Sequence, residues 1–404
     1  MKRTFAISAI CYVVYGLFVW LYLFHLAPVG IPDAYIGTAA DPATFMDADQ
    51  LATSIQFSRT RQLMFFLSTP FEWLAMLFFI FGGPSKGVEE VVKSKWQTKW
   101  LQVTIYYFAF ALFTFSAMLP FRFISYQLAR FYGTSTMTLT HWIRNRGIDF
   151  MVDFLLMVVI VHMVLFLARM FKKRWWFVTW LAFIPFAFFF MLIEPIVVDP
   201  LYNDFQPIQD PVLEARILTM ATDAGVRADR VFEMEVSSRT HVINGYVTGV
   251  GPTARIVLWD TALQQLNEDE ILFLMAHEIA HYVYRDIYRG IGVAIAFTFA
   301  GLYIVYKMVD KMNKESLKRI PVAMLVASIF LFAVSPATNA ISRRIEVRAD
   351  EFALELTGDP EAGIGLFQAF AQASLNEVNT PRLVRIFRST HPTTFERISR
   401  MMEE

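Results

Sequence analysis

The chain has 404 residues, 56% of them hydrophobic and 18% charged, with 40 phenylalanines and a formal net charge of +0. Its mean hydropathy of +0.43 is too high for a water-soluble protein of this length and places it in a membrane. Zero net charge offers no field for a nucleic-acid partner, and the single cysteine, Cys11, excludes an intramolecular disulfide and a thiolate metal cluster, leaving any metal to histidine and carboxylate.

In chain order, seven stretches are long enough to cross about 30 Å of hydrocarbon at 1.5 Å per residue. They cover residues 5–25, 62–82, 101–121, 150–171, 175–197, 289–309 and 320–340. The first is long and aromatic-rich with no small-residue cleavage site close behind it, so it reads as a retained helix rather than a signal peptide. Glu72, Asp153, His162 and Glu194 fall inside these spans. Ionisable groups there face a water-filled cavity or a partner, although Asp153 and Glu194 also lie near enough to helix ends to reach the interface. The spans divide the chain into membrane helices over 1–197, a polar catalytic segment over 198–288, two more membrane helices over 289–340 and a second polar segment over 341–404.

In the first polar segment, residues 231–236 and 255–259 are rich in apolar and β-branched residues between turn signals and predict short strands, with another over 246–248. Asn244 precedes the last of these, beside Gly245; an ordinary turn residue would look the same. An edge strand here would bind an extended peptide through its main chain.

Residues 267–286 predict an amphipathic helix with an acidic first turn, Asn267-Glu268-Asp269-Glu270, which suits the helix dipole. It carries His277-Glu278-Ile279-Ala280-His281. Histidines at i and i+4 lie one above the other, so both imidazoles can reach one zinc ion, and Glu278 beside them is placed to act as general base for peptide hydrolysis. The flanking charges put this motif beside the membrane, unlike proteases that carry it inside a span.

Beyond the last span, Glu346 and Asp350 share a helical face in the run Arg343 to Asp350. On their own they read as a solvated face pairing with Arg343 or Arg344. With the upstream motif they read as a third zinc ligand, Glu346, and a carboxylate, Asp350, that fixes a ligand histidine's tautomer, because catalytic zinc takes three protein ligands and one open position.

These motifs, with Asn244 to Gly249, Arg255 to Thr261, His391 to Arg397 and Pro200 to Pro207, resemble in order and spacing the signatures of the type I CAAX prenyl proteases. The resemblance covers most of the chain. It implies a mainly α, seven-span membrane protein with a small α+β zinc protease domain, a large internal chamber, and one zinc ion held by His277, His281 and Glu346. It further implies that Glu278 is the base, that Asp350 orients a ligand, that His391 and Arg397 support the oxyanion, and that Asn244, Gly245 and Tyr246 bind substrate. Outside the resemblance Arg397 reads as a surface arginine. The sequence departs from the family at Gly245, where alanine is usual, which would loosen substrate registration, and at Ala280, where glycine is common.

The expected function is thus a monomeric zinc metalloendopeptidase acting on membrane-associated or prenylated proteins and peptides. Its place is the cytoplasmic membrane of a prokaryote, or the endoplasmic reticulum membrane of a eukaryote. An inactive relative serving as chaperone or scaffold is the alternative; a transporter is disfavoured because the motifs sit in the polar segments. Lys and Arg at the chain start and around residues 86–99, 169–174 and 307–319 put the N-terminus in the cytoplasm and the catalytic segment outside. The resemblance implies the reverse.

Overall fold

The computed structural model describes residues 2–193, 197–249 and 255–403, with side chains from residue 7 onward. Glu194 lies outside the described residues. The chain begins with α1 (Lys2–Leu21), then α2 (Ala48–Phe81), α3 (Pro84–Lys95), α4 (Lys99–Phe131), α5 (Leu139–Phe171) and α6 (Trp175–Ile193). A small sheet follows, β1 (Phe205–Pro207), β2 (Val231–Met234), β3 (Gly245–Thr248) and β4 (Arg255–Trp259), with α7 (Pro211–Asp223) between β1 and β2. The remainder is helical: α8 (Asp260–Gln265), α9 (Glu268–Val283), α10 (Asp286–Val309), α11 (Arg319–Thr357), α12 (Pro360–Ser374), α13 (Arg382–Phe387) and α14 (Thr394–Glu403).

Among the described residues, six helical stretches are long and apolar enough to cross a membrane, one of them the 55-residue run Leu139–Ile193. A straight helix of that length would measure about 80 Å, more than twice the hydrocarbon thickness. It does not run straight. Lys172 adopts a positive φ of 43°, and α5 and α6 fold back against each other. Counted as two crossings, α5 and α6, it brings the six stretches among the described residues to the seven expected.

α11 is the longest helix, 39 residues. Its first half is the apolar span, and its second half continues as helix through Pro336 into the catalytic region, so one helix carries both the span and Glu346. α9 packs across α11, and α10 packs on both α11 and α6.

The sheet order is β1-β2-β4-β3. β2 and β4 run parallel, with Val231 opposite Ile256, and β3 lies antiparallel to β4, with Tyr246 opposite Val257. β4 is buried on both faces at Ile256, Val257 and Leu258, as its unbroken apolar run requires. One face packs on Ile217 of α7 and Phe273 and Ile279 of α9, joined by Phe367 of α12 and Ile398 of α14. The other meets Met234 and Val236. β2 ends before Val236 because the Asp260 carboxylate accepts hydrogen bonds from the Val236 and Ser237 amides at 2.9 and 3.0 Å, diverting those donors from the ladder. β1 is too short for a sequence signal and contains a proline, which its edge position tolerates.

In the bundle, His162 bonds Thr104 of α4 at 2.8 Å. Glu72 lies in the field of Arg122, as does Asp153, with Arg146 and Asp149 nearby.

An ion pair ties the two ends of the chain together. Arg59 on α2 meets Glu377, after α12, at 2.6 Å, with side-chain exposures of 3% and 4%. Arg59 also donates to the Leu23 and Pro28 carbonyls. Replacing Arg59 by Met strands a buried carboxylate, and thermal unfolding in detergent should show a loss of about 3–5 kcal/mol. The Arg59→Met/Glu377→Met double variant should recover most of it; equal losses in both would show that the pair is not the cause.

Candidate active site

α9 starts where its sequence dictates. The Asn267 side chain accepts from the Glu270 amide at 3.0 Å, and the Glu270 carboxylate accepts from the Asn267 amide at 2.9 Å, closing a capping box. Ten residues on, His277 and His281 project from the same face with their Nε2 atoms 3.2 Å apart. α11 presents Glu346 to both: Oε2 is 3.2 Å from His277 Nε2, and Oε1 is 3.6 Å from His281 Nε2. One ligand atom from each of the three residues falls within 4.8 Å of the others.

The far side of each imidazole meets a carboxylate. Asp350, one turn beyond Glu346, places Oδ1 2.9 Å from His277 Nδ1. Asp286 places Oδ2 3.1 Å from His281 Nδ1. A proton held on each Nδ1 leaves each Nε2 with a lone pair, and the two lone pairs face the same point. Glu346 Oε2, buried there, has no hydrogen-bond partner of its own. Two lone pairs and an unsatisfied anionic oxygen converging on one spot would repel one another, and a divalent cation is what they fit.

Asp286 had no assigned role in the sequence. Arg285 takes a left-handed conformation, φ 56°, which ends α9 and turns the chain so that Asp286 opens α10 directly beneath His281. Arg289 at 3.2 Å and Arg348 then hold the Asp286 carboxylate. The usable signal was an acidic residue just past the second histidine, but the turn that folds it back is not visible in residue spacing.

The other expected site residues are brought to the same place with different contacts. His391 places Nε2 3.2 Å from Glu346 Oε2, while its Nδ1 pairs with Thr390 Oγ1 at 2.9 Å. Arg397 is 7% exposed, so it is not a surface residue. Its guanidinium grips Asp350 with Nε and Nη2 and stacks 3.9 Å from the Phe367 ring centre. Asn244 lines the same cleft as His277, Glu278 and His391. Gly245 is buried at the start of β3, where an added Cβ would lie 3.3 Å from Met275 Sδ and 3.3 Å from the Val257 carbonyl. Tyr246 alternates away, its hydroxyl 3.1 Å from Asp199. Ala280 is fully buried.

Electrostatics follow the packing. Burial acts to raise the Glu346 carboxyl, but the imidazoles of His277, His391 and His281 outweigh it and hold it down at about 2. Asp350, also opposed by burial, is kept well below the carboxylate range by Arg397 and His277. Burial pushes Glu278 up, so it takes and holds a proton more readily than a solvated glutamate. For His277, burial is overcome by Asp350 and Glu346, which raise it to about 9 without a metal ion. A metal must displace that proton. Measured by competition with a chelator, metal affinity should therefore climb by roughly tenfold per pH unit and level off near pH 9; a flat profile from pH 6 to 9 would contradict this.

Two cavities meet at the site. A polar cleft of about 260 Å³ includes Asn244, His277, Glu278, His391 and Arg397. An apolar cavity of about 960 Å³ runs into the bundle between α5, α6, α10 and α11, past Phe183, Phe297 and Phe330, and reaches His281, Asp286 and Glu346.

Such a pocket can hold a metal ion against an extended chain at the face of a membrane, with a carboxylate at hand to move the proton. That defines the class: a membrane metalloprotease. Family models agree, with residues 207–404 matching peptidase family M48 and residues 38–204 matching the CAAX prenyl protease N-terminal region of five membrane helices. The chain is 36% identical to the metalloprotease YhfN of Bacillus subtilis over 415 residues, covering 100% of this chain and 97% of that one. It is 30% identical to a CAAX prenyl protease 1 homolog of Oryza sativa over 52% of this chain and 51% of the rice protein. The crystal structure of S. mikatae Ste24p shares the fold, with TM-score 0.83 at 21% identity, over 98% of this chain and 97% of that one. The chain belongs to peptidase family M48, as an integral multi-pass membrane protein of the CAAX prenyl protease 1 type.

Proposed function

We propose that the chain, acting as a monomer, holds one zinc ion through His277, His281 and Glu346 and hydrolyses peptide bonds of membrane-associated substrates. The observation that carries this reading is the convergence of both Nε2 atoms and the unsatisfied Glu346 oxygen within 4.8 Å, with each opposite nitrogen on a carboxylate. All the donors come from one chain. Zinc, when bound, supplies a Lewis acid that polarises a carbonyl and lowers the pKa of water toward about 7.

The residues divide the remaining work. Glu278 accepts the proton of the attacking water and returns it to the leaving amine, a task its burial favours. His391, whose side chain is more than half exposed at the cleft, donates to the developing oxyanion. Arg397 acts at one remove, fixing Asp350, which fixes His277. Asp286 does the same for His281. β3, at the open edge of the sheet beside α9, pairs with an extended substrate, with Asn244 at its cleft end and Gly245 and Tyr246 shaping the strand.

The names of the CAAX prenyl protease relatives point to prenylated substrates, and the apolar cavity ending at His281 and Glu346 offers such a chain a place beside the scissile bond. Comparing cleavage of a farnesylated peptide and its plain counterpart tests this: a lower KM for the lipidated form is expected, and equal KM values would leave an unmodified membrane peptide as the substrate. Metal analysis tests the site itself, with one zinc per chain expected. Asp286→Asn should weaken zinc affinity by about 10–100-fold, read by chelator competition. An unchanged affinity would remove Asp286 from the metal's support.

A further inference from the structure

The end of the bundle away from the metal site carries a second cluster of charge. α4 begins there at Lys99, α5 ends at Phe171, α10 ends at Val309 and α11 begins at Arg319. Arg319 and Glu346 lie on the same helix, about 40 Å apart at 1.5 Å per residue, so this end sits near the opposite face of the membrane.

Between these helix ends is a cavity of about 330 Å³, with cations on most of its rim. Two of them are engaged: Lys99 pairs with Glu315 at 2.9 Å and Lys93 with Glu89 at 2.6 Å. Arg319 shares the cavity with Asp310, whose charge it feels. Arg169, Lys172 and Lys314 also line it; among the described residues none of the three makes an ion pair, and Arg169 only shares the field of Glu315, which Lys99 already holds. Two buried donors line it as well. Trp175 is only 3% exposed, yet its indole Nε1 has no acceptor, and neither has Nε of Arg319. Buried N–H groups are normally satisfied, and these two orphans lie behind the wall of one cationic cavity.

We propose that this cavity binds the phosphate-bearing headgroup of an anionic phospholipid. The phosphodiester supplies an ion-pair partner and several acceptor oxygens to Arg169, Lys172 and Lys314, the three cations of the rim that make no ion pair. Its depth fits: the cavity opens where α4, α5, α10 and α11 leave the hydrocarbon, the level at which headgroups lie, and basic pockets between membrane helices take such lipids. Met170 and Phe171, next to Arg169, are exposed apolar side chains against which acyl chains would lie. A lipid seated there clamps α5, α10 and α11, three of the four helices that wall the apolar cavity, at the ends remote from the metal.

The test uses the full chain, purified in detergent and exposed in turn to phosphatidylglycerol, phosphatidylcholine and inorganic phosphate. Retained lipid is read by native mass spectrometry and stability by melting temperature. Phosphatidylglycerol should be retained and should raise the melting temperature, while phosphatidylcholine and inorganic phosphate do neither. The R169Q/K314Q variant, altered at two exposed positions, should lose several-fold of the retained phosphatidylglycerol, and R169K/K314R should keep it. Equal retention of phosphatidylcholine, undiminished retention by R169Q/K314Q, or an equal thermal shift from inorganic phosphate alone would each overturn the assignment. Were R169Q/K314Q not to fold, the comparison of the three additives on the unaltered protein would decide it.

Discussion

Glu278→Gln is expected to lower kcat by about 10²–10⁴-fold while leaving metal content unchanged. Glutamine keeps the shape and the hydrogen-bonding reach of the side chain but cannot accept the proton of the attacking water. Glu278 is not among the three converging ligand groups, so its loss should not release the ion. Cleavage of a fluorogenic peptide, alongside metal analysis of the same preparation, separates the two effects. Unchanged turnover would mean that another group moves the proton; lost metal would mean that Glu278 is a ligand.

Glu346→Gln should behave in the opposite way, losing metal first and activity as a consequence. The carboxylate supplies the only negative charge among the three converging groups, and it is held ionised at about 2 by the surrounding imidazoles. A neutral amide in its place should weaken zinc affinity by at least about 100-fold, beyond the range typical of outer partners. Because Glu346 is buried on the long rod of α11, the variant should remain folded, which circular dichroism can verify. Wild-type affinity in this variant would remove α11 from the metal site.

Much of the site was legible in the sequence because its chemistry is local. A helix of period 3.6 forces His277 and His281 together, and Glu346 and Asp350 are likewise one turn apart, so two short motifs define the converging groups before any fold is known. Asn267 and Glu270 marked the start of α9 for the same reason. What escaped depends on chain reversal or distant contacts. Asp286 reaches His281 only because Arg285 turns left-handed, a backbone choice that arginine does not advertise. Arg397 reads as a surface arginine on spacing alone and reached the site only through the family resemblance, because its contacts with Asp350 and Phe367 are distant in sequence. β2 stops early because Asp260, 23 residues beyond Ser237 in sequence, takes its backbone donors. Hydropathy located the membrane helices well, but it could not show that the last of them continues as helix to Glu346.

In the proposed site one ion is held from two helices by two imidazoles and a carboxylate. X-ray absorption spectroscopy of the zinc-loaded protein tests it most directly. The expected first shell has two imidazole nitrogens at about 2.0–2.1 Å and oxygens at about 2.0–2.2 Å, with carboxylate oxygen lost in Glu346→Gln. A shell without paired imidazole scattering, or one that Glu346→Gln leaves unaltered, would contradict the site described here.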